Sequence, residues 1–170
     1  MGTLHLGAVT FQGHNSSEHL LDAPPGSILQ FQYQANKTQR TITQTGGTKA
    51  DSGFDAVTIT PRSQTSIILL EFSACCASNT GARDTYLEIR FSVSGGSYNA
   101  VPGMDSNQGN MRFNMGGQYH GNSCVFRYPH DHNTTNTLSY KIYGASSLSN
   151  DFKINWDQTF GMFSAMEIAT

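Results

Sequence analysis

The sequence has few charged residues and no long apolar run, and each shortage excludes a class of protein. Charged residues make up 13% of the 170 residues and the net charge is −2, so neither nucleic acid nor an anionic membrane is an expected partner. No run reaches the roughly 18 apolar residues that a membrane span requires. The N-terminus also lacks the basic start and apolar core of a signal peptide. We therefore expect a protein made in a cytoplasm and not secreted.

Cysteine is scarce as well. Cys75, Cys76 and Cys124 are too few and too irregularly placed for a disulfide framework. Adjacent residues of a strand point to opposite faces, so Cys75 and Cys76 are not expected to share a partner. We interpret the three as small apolar residues of a protein that folds in a reducing compartment.

Short strand-like runs separated by Gly, Asn and Ser loops dominate the rest of the chain. No window keeps an amphipathic helical period, so helix is expected to be scarce. The runs are 28–33, 56–61, 66–77, 86–94, 124–128, 138–144, 152–156 and 165–169. This pattern predicts an all-β fold, an antiparallel β-sandwich of jelly-roll-like form.

The run 66–77, SIILLEFSACCA, does not alternate as a strand with one wet face should. One face would carry Ile67, Leu69 and Ala77, and the other would carry Ile68, Leu70, Phe72, Ala74 and Cys76. One of these faces can fill the core of a sandwich. The other face packs either on a second layer of the same chain or on another copy of the chain, and the residues leave both readings open.

The first 26 residues differ from the remainder. HLGAVTFQG has a short strand-like rhythm, and turn residues then lead to Pro24, Pro25 and Gly26. We interpret residues 1–26 as an arm with one extended anchor segment and a linker, followed by a folded domain over 27–170. The apolar positions of the anchor are Leu4, Leu6, Val9 and Phe11.

Signals of enzymatic chemistry are weak, and we expect neither catalysis nor a cofactor. GNSCV at 121–125 begins like a nucleophile elbow, but it ends in Val125 and has no α/β pattern around it. No phosphate-binding glycine loop is present. No pair of carboxylates stands out that would act on a polysaccharide.

The most distinctive polar cluster is PHDH at 129–132. His130 and His132 have a spacing that can share a metal ion, and Asp131 could orient one of them. The simpler reading, which we favour, is a polar loop tip that starts at Pro129.

Exposed aromatic residues can bind sugars by stacking. Tyr98, Tyr119, Tyr128 and Tyr143 fall in or near loops or on alternate strand faces. Tyrosine in a β-sandwich is more often half-buried packing, so carbohydrate binding is the less favoured interpretation.

Five segments, taken in order, carry a resemblance to a known family. They are PPGSILQFQYQ, VTITPRSQTSIILLEFSA, YLEIRF, TLSYKIYG and FKINWDQ…SAMEIAT. Together they resemble the C-terminal domain of tail-fibre and minor structural proteins of marine and freshwater bacteriophages, especially cyanophages, over most of 24–170. LGAVTFQG also resembles segments near the bases of phage fibre proteins, which implies an attachment element. RYPHDHNTTN departs from the family pattern, and the family is structural, so no catalytic residue is carried over.

The resemblance implies a homotrimer on the virion surface, made in the host cytoplasm and bound to major capsid, tail or baseplate proteins. The strand that would form the trimer interface or the core contains Ile67, Ile68, Leu69, Leu70 and Phe72. An arm plus a knob without a shaft suits a capsid decoration or cement protein, or a short tail or baseplate fibre. The alternative is a receptor-binding module that recognises host surface polysaccharide through loops with Tyr119, His120, His130 and His132.

Overall fold

The computed structural model describes residues 3–6, 9–12, 23–43, 48–78, 83–104, 111–115, 121–146 and 151–170. In these ranges the regular structure is antiparallel β-strand, apart from a turn of 3-10 helix at Trp156–Gln158. The prediction of an all-β antiparallel sandwich with little helix is confirmed. Within the same ranges, no helix has the length and apolar character to cross a membrane.

The strands follow in chain order. They are β1 (Thr3–Leu6), β2 (Val9–Gln12), β3 (Ile28–Asn36), β4 (Arg40–Ile42), β5 (Ala50–Asp51), β6 (Val57–Ile59), β7 (Ile67–Ser78), β8 (Arg83–Val93), β9 (Asn99–Ala100), β10 (Met111–Met115), β11 (Asn122–Asp131), β12 (Leu138–Ser146), β13 (Phe152–Ile154) and β14 (Gly161–Ile168). Each strand-like run of the sequence overlaps a strand, and the runs 56–61 and 152–156 extend beyond β6 and β13. The short strands β4, β5, β9 and β10 were not predicted.

Two sheets form the sandwich. In the β7 sheet the order is β3-β14-β7-β13-β4, and β11 pairs along β7. In the β8 sheet the order is β10-β8-β12-β5, with β6 also paired to β12 and β9 to β8. The longest strands, β7 and β8, therefore belong to opposite layers.

The core lies between the two sheets, and β7 supplies its centre. Ile68, Leu70 and Phe72, which the alternation within 66–77 placed on one face, have no exposed surface. The Phe72 ring contacts three other phenylalanines, with centroid distances of 5.6 Å to Phe54, 5.5 Å to Phe126 and 6.3 Å to Phe163. Each such side chain contributes about 1.5–3 kcal/mol by leaving water.

The outer face of the β8 sheet is not uniformly exposed to solvent. Glu88 is buried because Lys49 covers it, with 2.8 Å between Lys49 Nζ and Glu88 Oε2. Arg90 Nε donates to the other carboxylate oxygen at 2.5 Å. The ion cluster satisfies a charge that burial would otherwise make very costly.

The N-terminal segment forms a hairpin and not one extended segment. β1 and β2 pair antiparallel, with Leu4 opposite Phe11 and Leu6 opposite Val9. Among the described residues, neither strand pairs with either sheet. The prediction of a single anchor strand is therefore corrected, since GA at 7–8 separates two short strands.

The chain enters the sandwich beside the end of β14. The Gly26 N–H donates to the Ala169 carbonyl at 2.8 Å, and the Ala169 N–H donates to the Ser27 carbonyl at 2.9 Å. We call this the linker end. The opposite end, where Asn36 pairs with Gly161, is the far end. The nine residues of β3 separate the two ends by roughly 30 Å.

Candidate functional site

The outer face of the β7 sheet is the candidate site, and strand register builds it. Directly opposed residues of antiparallel strands point to the same face. Across β3, β14, β7 and β11 the register aligns Phe31, Met166, Leu69 and Pro129 in one row. Nearer the linker end the register aligns Ile28, Ile168, Ile67 and Asp131. We call the seven apolar residues of these two rows the apolar rows.

A polar row borders the apolar rows on the side of the far end. It contains Tyr33, Ser164, Glu71 and Arg127, and Arg127 Nε lies 2.6 Å from Glu71 Oε2. Phe31 is 45% exposed and Tyr33 is 59% exposed, and their rings stack at 5.8 Å. Soluble monomers seldom expose contiguous apolar surface of this kind, so the face is a candidate for protein–protein contact.

The structure divides the residues predicted for the trimer interface or core. Ile68, Leu70 and Phe72 fill the core of the chain itself. Ile67 and Leu69 lie in the apolar rows and are half-buried.

The two adjacent cysteines of β7 follow the same alternation. Cys76 is buried while the neighbouring Cys75 is partly exposed, and both thiols are free.

The two long edges of the β7 sheet differ in how they are protected. β3 is an edge strand, and none of its nine residues is charged or proline. β11 carries Pro129, which has no N–H to donate, and the charged residues Arg127 and Asp131. Charges and proline protect an edge against pairing with another chain, so the β3 side is the less protected one.

His130 lies in the core, which corrects the prediction of a loop that starts at Pro129. β11 continues to Asp131, and its alternation turns His130 inward to 3% exposure. The imidazole Nδ1 lies 2.8 Å from the Tyr140 hydroxyl, and the ring packs on Phe91 at 4.5 Å. Burial, followed by the nearby His132, lowers the pKa of His130 to about 4. The ring is therefore neutral near pH 7.

His132 is engaged at both ring nitrogens. The Thr134 N–H donates to Nδ1 at 3.2 Å, so the neutral ring carries its hydrogen on Nε2, which lies 3.2 Å from Ser66 Oγ. The rings of His130 and His132 are 6.3 Å apart. The described residues contain no group of three or more His, Cys, Asp or Glu side chains that could hold a metal ion.

Glu167 is a buried carboxylate that the sequence analysis missed. It has no exposed surface and accepts from Ser66 Oγ at 2.6 Å and from Gln30 Nε2 at 2.5 Å. The backbone N–H groups of Arg62 and Ser63 donate at 2.8 and 3.2 Å. Burial acts to raise the pKa of Glu167, but these hydrogen bonds outweigh it and hold the pKa below its usual value. The carboxylate thus fastens the 62–66 turn onto β14.

Ser66, His132 and Glu167 do not form a hydrolase triad. In a triad the histidine lies between the serine and the acid, whereas here Ser66 lies between His132 and Glu167. Ser66 is also fully buried. The arrangement holds the turn in place and offers no accessible nucleophile.

The loops predicted to form a ligand tip flank β11 on opposite sides. Tyr119 and His120 lie outside the described residues. Gly121, which follows them, lies beside Cys75 and Trp156 at the far end. His132 follows the last residue of β11 at the linker end, so the ten-residue strand separates it from Gly121 by roughly 35 Å.

Two of the four tyrosines proposed for sugar stacking lie together. Tyr98 and Tyr143 have ring centroids 6.3 Å apart on the outer face of the β8 sheet. Lys141 Nζ lies 5.1 Å from the Tyr98 ring, and the Arg90 guanidinium lies 4.4 Å from the Tyr143 ring. The Tyr128 hydroxyl instead donates to a backbone carbonyl at 2.7 Å. Both paired rings therefore already have a cation over one face.

Comparison with known proteins gives a weak structural likeness. No model of a protein family matches the chain, and no curated protein matches it. The infectious bursal disease virus VP2 subviral particle aligns with a TM-score of 0.39 and 12% identity, covering 83% of this chain and 38% of that one. The structure of the infectious bursal disease virus Gx strain aligns with a TM-score of 0.40 and 11% identity, covering 83% and 37%. This chain spans less than two fifths of either, and no function is assigned from a likeness of this size.

Proposed function

We propose that this chain is a structural protein of a bacteriophage virion that acts as a homotrimer on the virion surface. The proposal extends the resemblance between segments of 24–170 and phage fibre domains. Its two roles, as a capsid decoration or cement protein or as a short tail or baseplate fibre, are both mechanical. Each requires a folded knob, contact between copies, and attachment to capsid, tail or baseplate proteins.

The observation that carries the proposal is the pair of apolar rows on the outer face of the β7 sheet. Burying a side chain such as Phe31 or Leu69 against another copy contributes about 1.5–3 kcal/mol. The Glu71–Arg127 pair borders these rows, which matches the apolar centre and polar rim of protein interfaces. In the proposed homotrimer this face meets the neighbouring copies.

The hairpin β1–β2 is the proposed attachment element. Its register places Leu4, Leu6, Val9 and Phe11 at positions that share one face. A two-stranded hairpin is marginally stable alone in water, so such a segment needs a surface to pack on. Capsid, tail or baseplate proteins would supply that surface, and attachment by several copies would multiply modest contacts.

Mass in solution is the decisive test of self-association. One chain has a mass of 18.5 kDa, so the homotrimer is expected to have a mass of about 55 kDa by light scattering behind a sizing column. Leu69→Ser and Phe31→Ser should shift the mass toward that of one chain. Val93→Ser, at an exposed apolar residue of the β8 sheet, is the matched control and should leave the mass unchanged. A monomeric parent chain at micromolar concentration would refute the homotrimer.

Deleting residues 1–12 tests attachment separately. The shortened chain should remain a trimer in solution but fail to co-sediment with particles that lack the protein. Co-sedimentation equal to that of the full chain would show that the hairpin is not the anchor.

Recognition of host surface glycans is the second candidate function, and one observation favours it. The far end of the sandwich has an open groove, lined by Lys37, Thr38, Gln39 and Gln158, beside an exposed phenylalanine. In this role the groove, and not the buried His130, would contact the ligand.

A further inference from the structure

The groove lies between two turns at the far end. The β3–β4 turn contributes Lys37, Thr38 and Gln39, and the 3-10 turn contributes Gln158. The groove has a volume of about 400 Å³ and is open to solvent, so a ligand would rest against its surface without being enclosed.

A buried amide holds the two turns together. Asn155 is fully buried, and its Nδ2 donates to the Asn36 carbonyl at 3.2 Å, to Asn36 Oδ1 at 2.8 Å and to the Thr38 carbonyl at 3.1 Å. The Asp157 N–H donates to Gln39 Oε1 at 3.3 Å. The groove walls are thus fixed to each other by hydrogen bonds within the chain, which reduces the entropy lost on binding.

The 3-10 turn has an unusual backbone. Asn155, Asp157 and Gln158 have φ values of 55°, 54° and 55°, in the left-handed region that residues with a side chain seldom adopt. Backbone strain of this kind concentrates at ligand-binding sites.

The groups around the groove define its ligand. Gln39 and Gln158 present carboxamides, which can donate and accept, and Thr38 adds a hydroxyl. Phe160 is 63% exposed, and Lys37 Nζ lies 5.5 Å from its ring centroid. Among the described residues, no carboxylate forms an ion pair with Lys37.

We propose that this groove binds an acidic oligosaccharide, such as one built of uronic acids. The apolar face of a sugar ring packs on Phe160, its hydroxyl groups pair with Gln39 and Gln158, and its carboxylate pairs with Lys37. The site lies roughly 30 Å from the linker end, so it faces outward when the hairpin holds the virion. This orientation rests on the proposed function, whereas the binding does not.

The test titrates the full chain with trigalacturonate and, separately, with the neutral galactose trisaccharide, followed by NMR. Trigalacturonate is expected to bind in the millimolar range and to shift the amide resonances of 37–39 and 156–160. The neutral trisaccharide should bind about tenfold more weakly, because the contact to the ammonium is lost. Equal binding of the two probes would overturn the assignment of an acidic ligand.

Two variants locate the site, and a third provides the control. Phe160→Ala and Lys37→Ala should each weaken trigalacturonate binding about tenfold or more. Lys153→Ala removes another cation, which lies 5.0 Å from the Trp156 ring and outside the groove lining, and should have no effect. Equal losses in both lysine variants, or a folded chain that binds neither probe, would refute the proposal. Because the assay uses protein without virions, its failure leaves the mass measurement of self-association unaffected.

Discussion

Ser66 Oγ lies 2.6 Å from Glu167 Oε1, and both residues are fully shielded from solvent. The bond joins the end of the 62–66 turn to the last strand of the chain across 101 positions of sequence. A buried carboxylate remains charged only when donors surround it, and Ser66 is the one side-chain hydroxyl among its described donors.

Ser66→Ala is therefore expected to lower the free energy of unfolding by about 1–3 kcal/mol, the cost of leaving a buried charge short of one donor. Urea denaturation measures this loss. Ser63→Ala is the control, because its contact with Glu167 uses the backbone N–H and its hydroxyl bonds only Thr65 in the exposed turn. It should cost no more than about 1 kcal/mol. Equal losses in the two variants would contradict this role for the Ser66 hydroxyl.

The same carboxylate predicts a loss of stability in acid. The pKa of Glu167 is lower in the folded chain than the value near 4.3 of an unfolded one, so the unfolded chain binds the proton first as the pH falls. Its contribution is complete above that unfolded pKa and is lost as the pH falls through the folded pKa. In Glu167→Gln the free energy of unfolding should depend less on pH in this range. It should also be lower than that of the parent chain near pH 7.

Protonation of His130 should cause a second loss of folding stability in acid, at a higher pH than the loss due to Glu167. Its pKa is about 4 in the folded chain and near 6.5 when unfolded, so the unfolded state takes up the proton between these values. Stability should fall by about 3 kcal/mol as the pH drops from 6.5 to 4. Chemical denaturation across this range should show a much smaller slope for His130→Gln. His132→Gln, at a half-exposed ring, should keep most of the slope, and the reverse ranking would count against the assignment.

Leu69 and Leu70 are neighbours in β7 with opposite environments, which makes them a matched pair. Leu70→Ala should cost about 2–5 kcal/mol of folding free energy, because it leaves a cavity beside Phe72. Leu69→Ala should cost much less in the single chain but should weaken self-association. Thermal unfolding at low concentration and sedimentation at high concentration separate the two effects. Equal folding costs would mean that the apolar rows are covered within one chain.

Substitutions of Lys49 and Glu88 are expected to have non-additive effects on the free energy of unfolding. Lys49→Met leaves a buried carboxylate with Arg90 as its other cation partner and should cost about 3 kcal/mol or more. Lys49→Met combined with Glu88→Leu removes both buried charges and should recover most of that loss. Urea denaturation of the single and double variants gives the coupling energy, and additive costs would argue against a buried pair.

Alternation along the chain was enough to predict the strands and the two faces of β7. The two-residue period reports which side chains share a face, and Ile68, Leu70 and Phe72 are buried together for that reason. The same rule could have found Glu167, which shares its face with Phe163 and Ala165 in β14. It was missed because the run 165–169 is short and its pattern says nothing about hydrogen-bond donors in distant segments.

Contacts between residues that are distant in the sequence could not be predicted. His130 looked like a loop residue because Pro129 usually ends a strand, yet β11 is an edge strand, where a proline costs no ladder bond. The groove combines residues 37–39 with Gln158, which are about 120 positions apart, and no local pattern joins them.

The sequence by itself determined the β class, most of the strands and which residues of β7 share a face, because these depend on the alternation of neighbouring side chains. Only the tertiary structure decided which outward residues line up into the apolar rows, which carboxylates are buried and how the two far-end turns enclose a groove. These features depend on strand order and register, which are set by packing between segments distant in the chain.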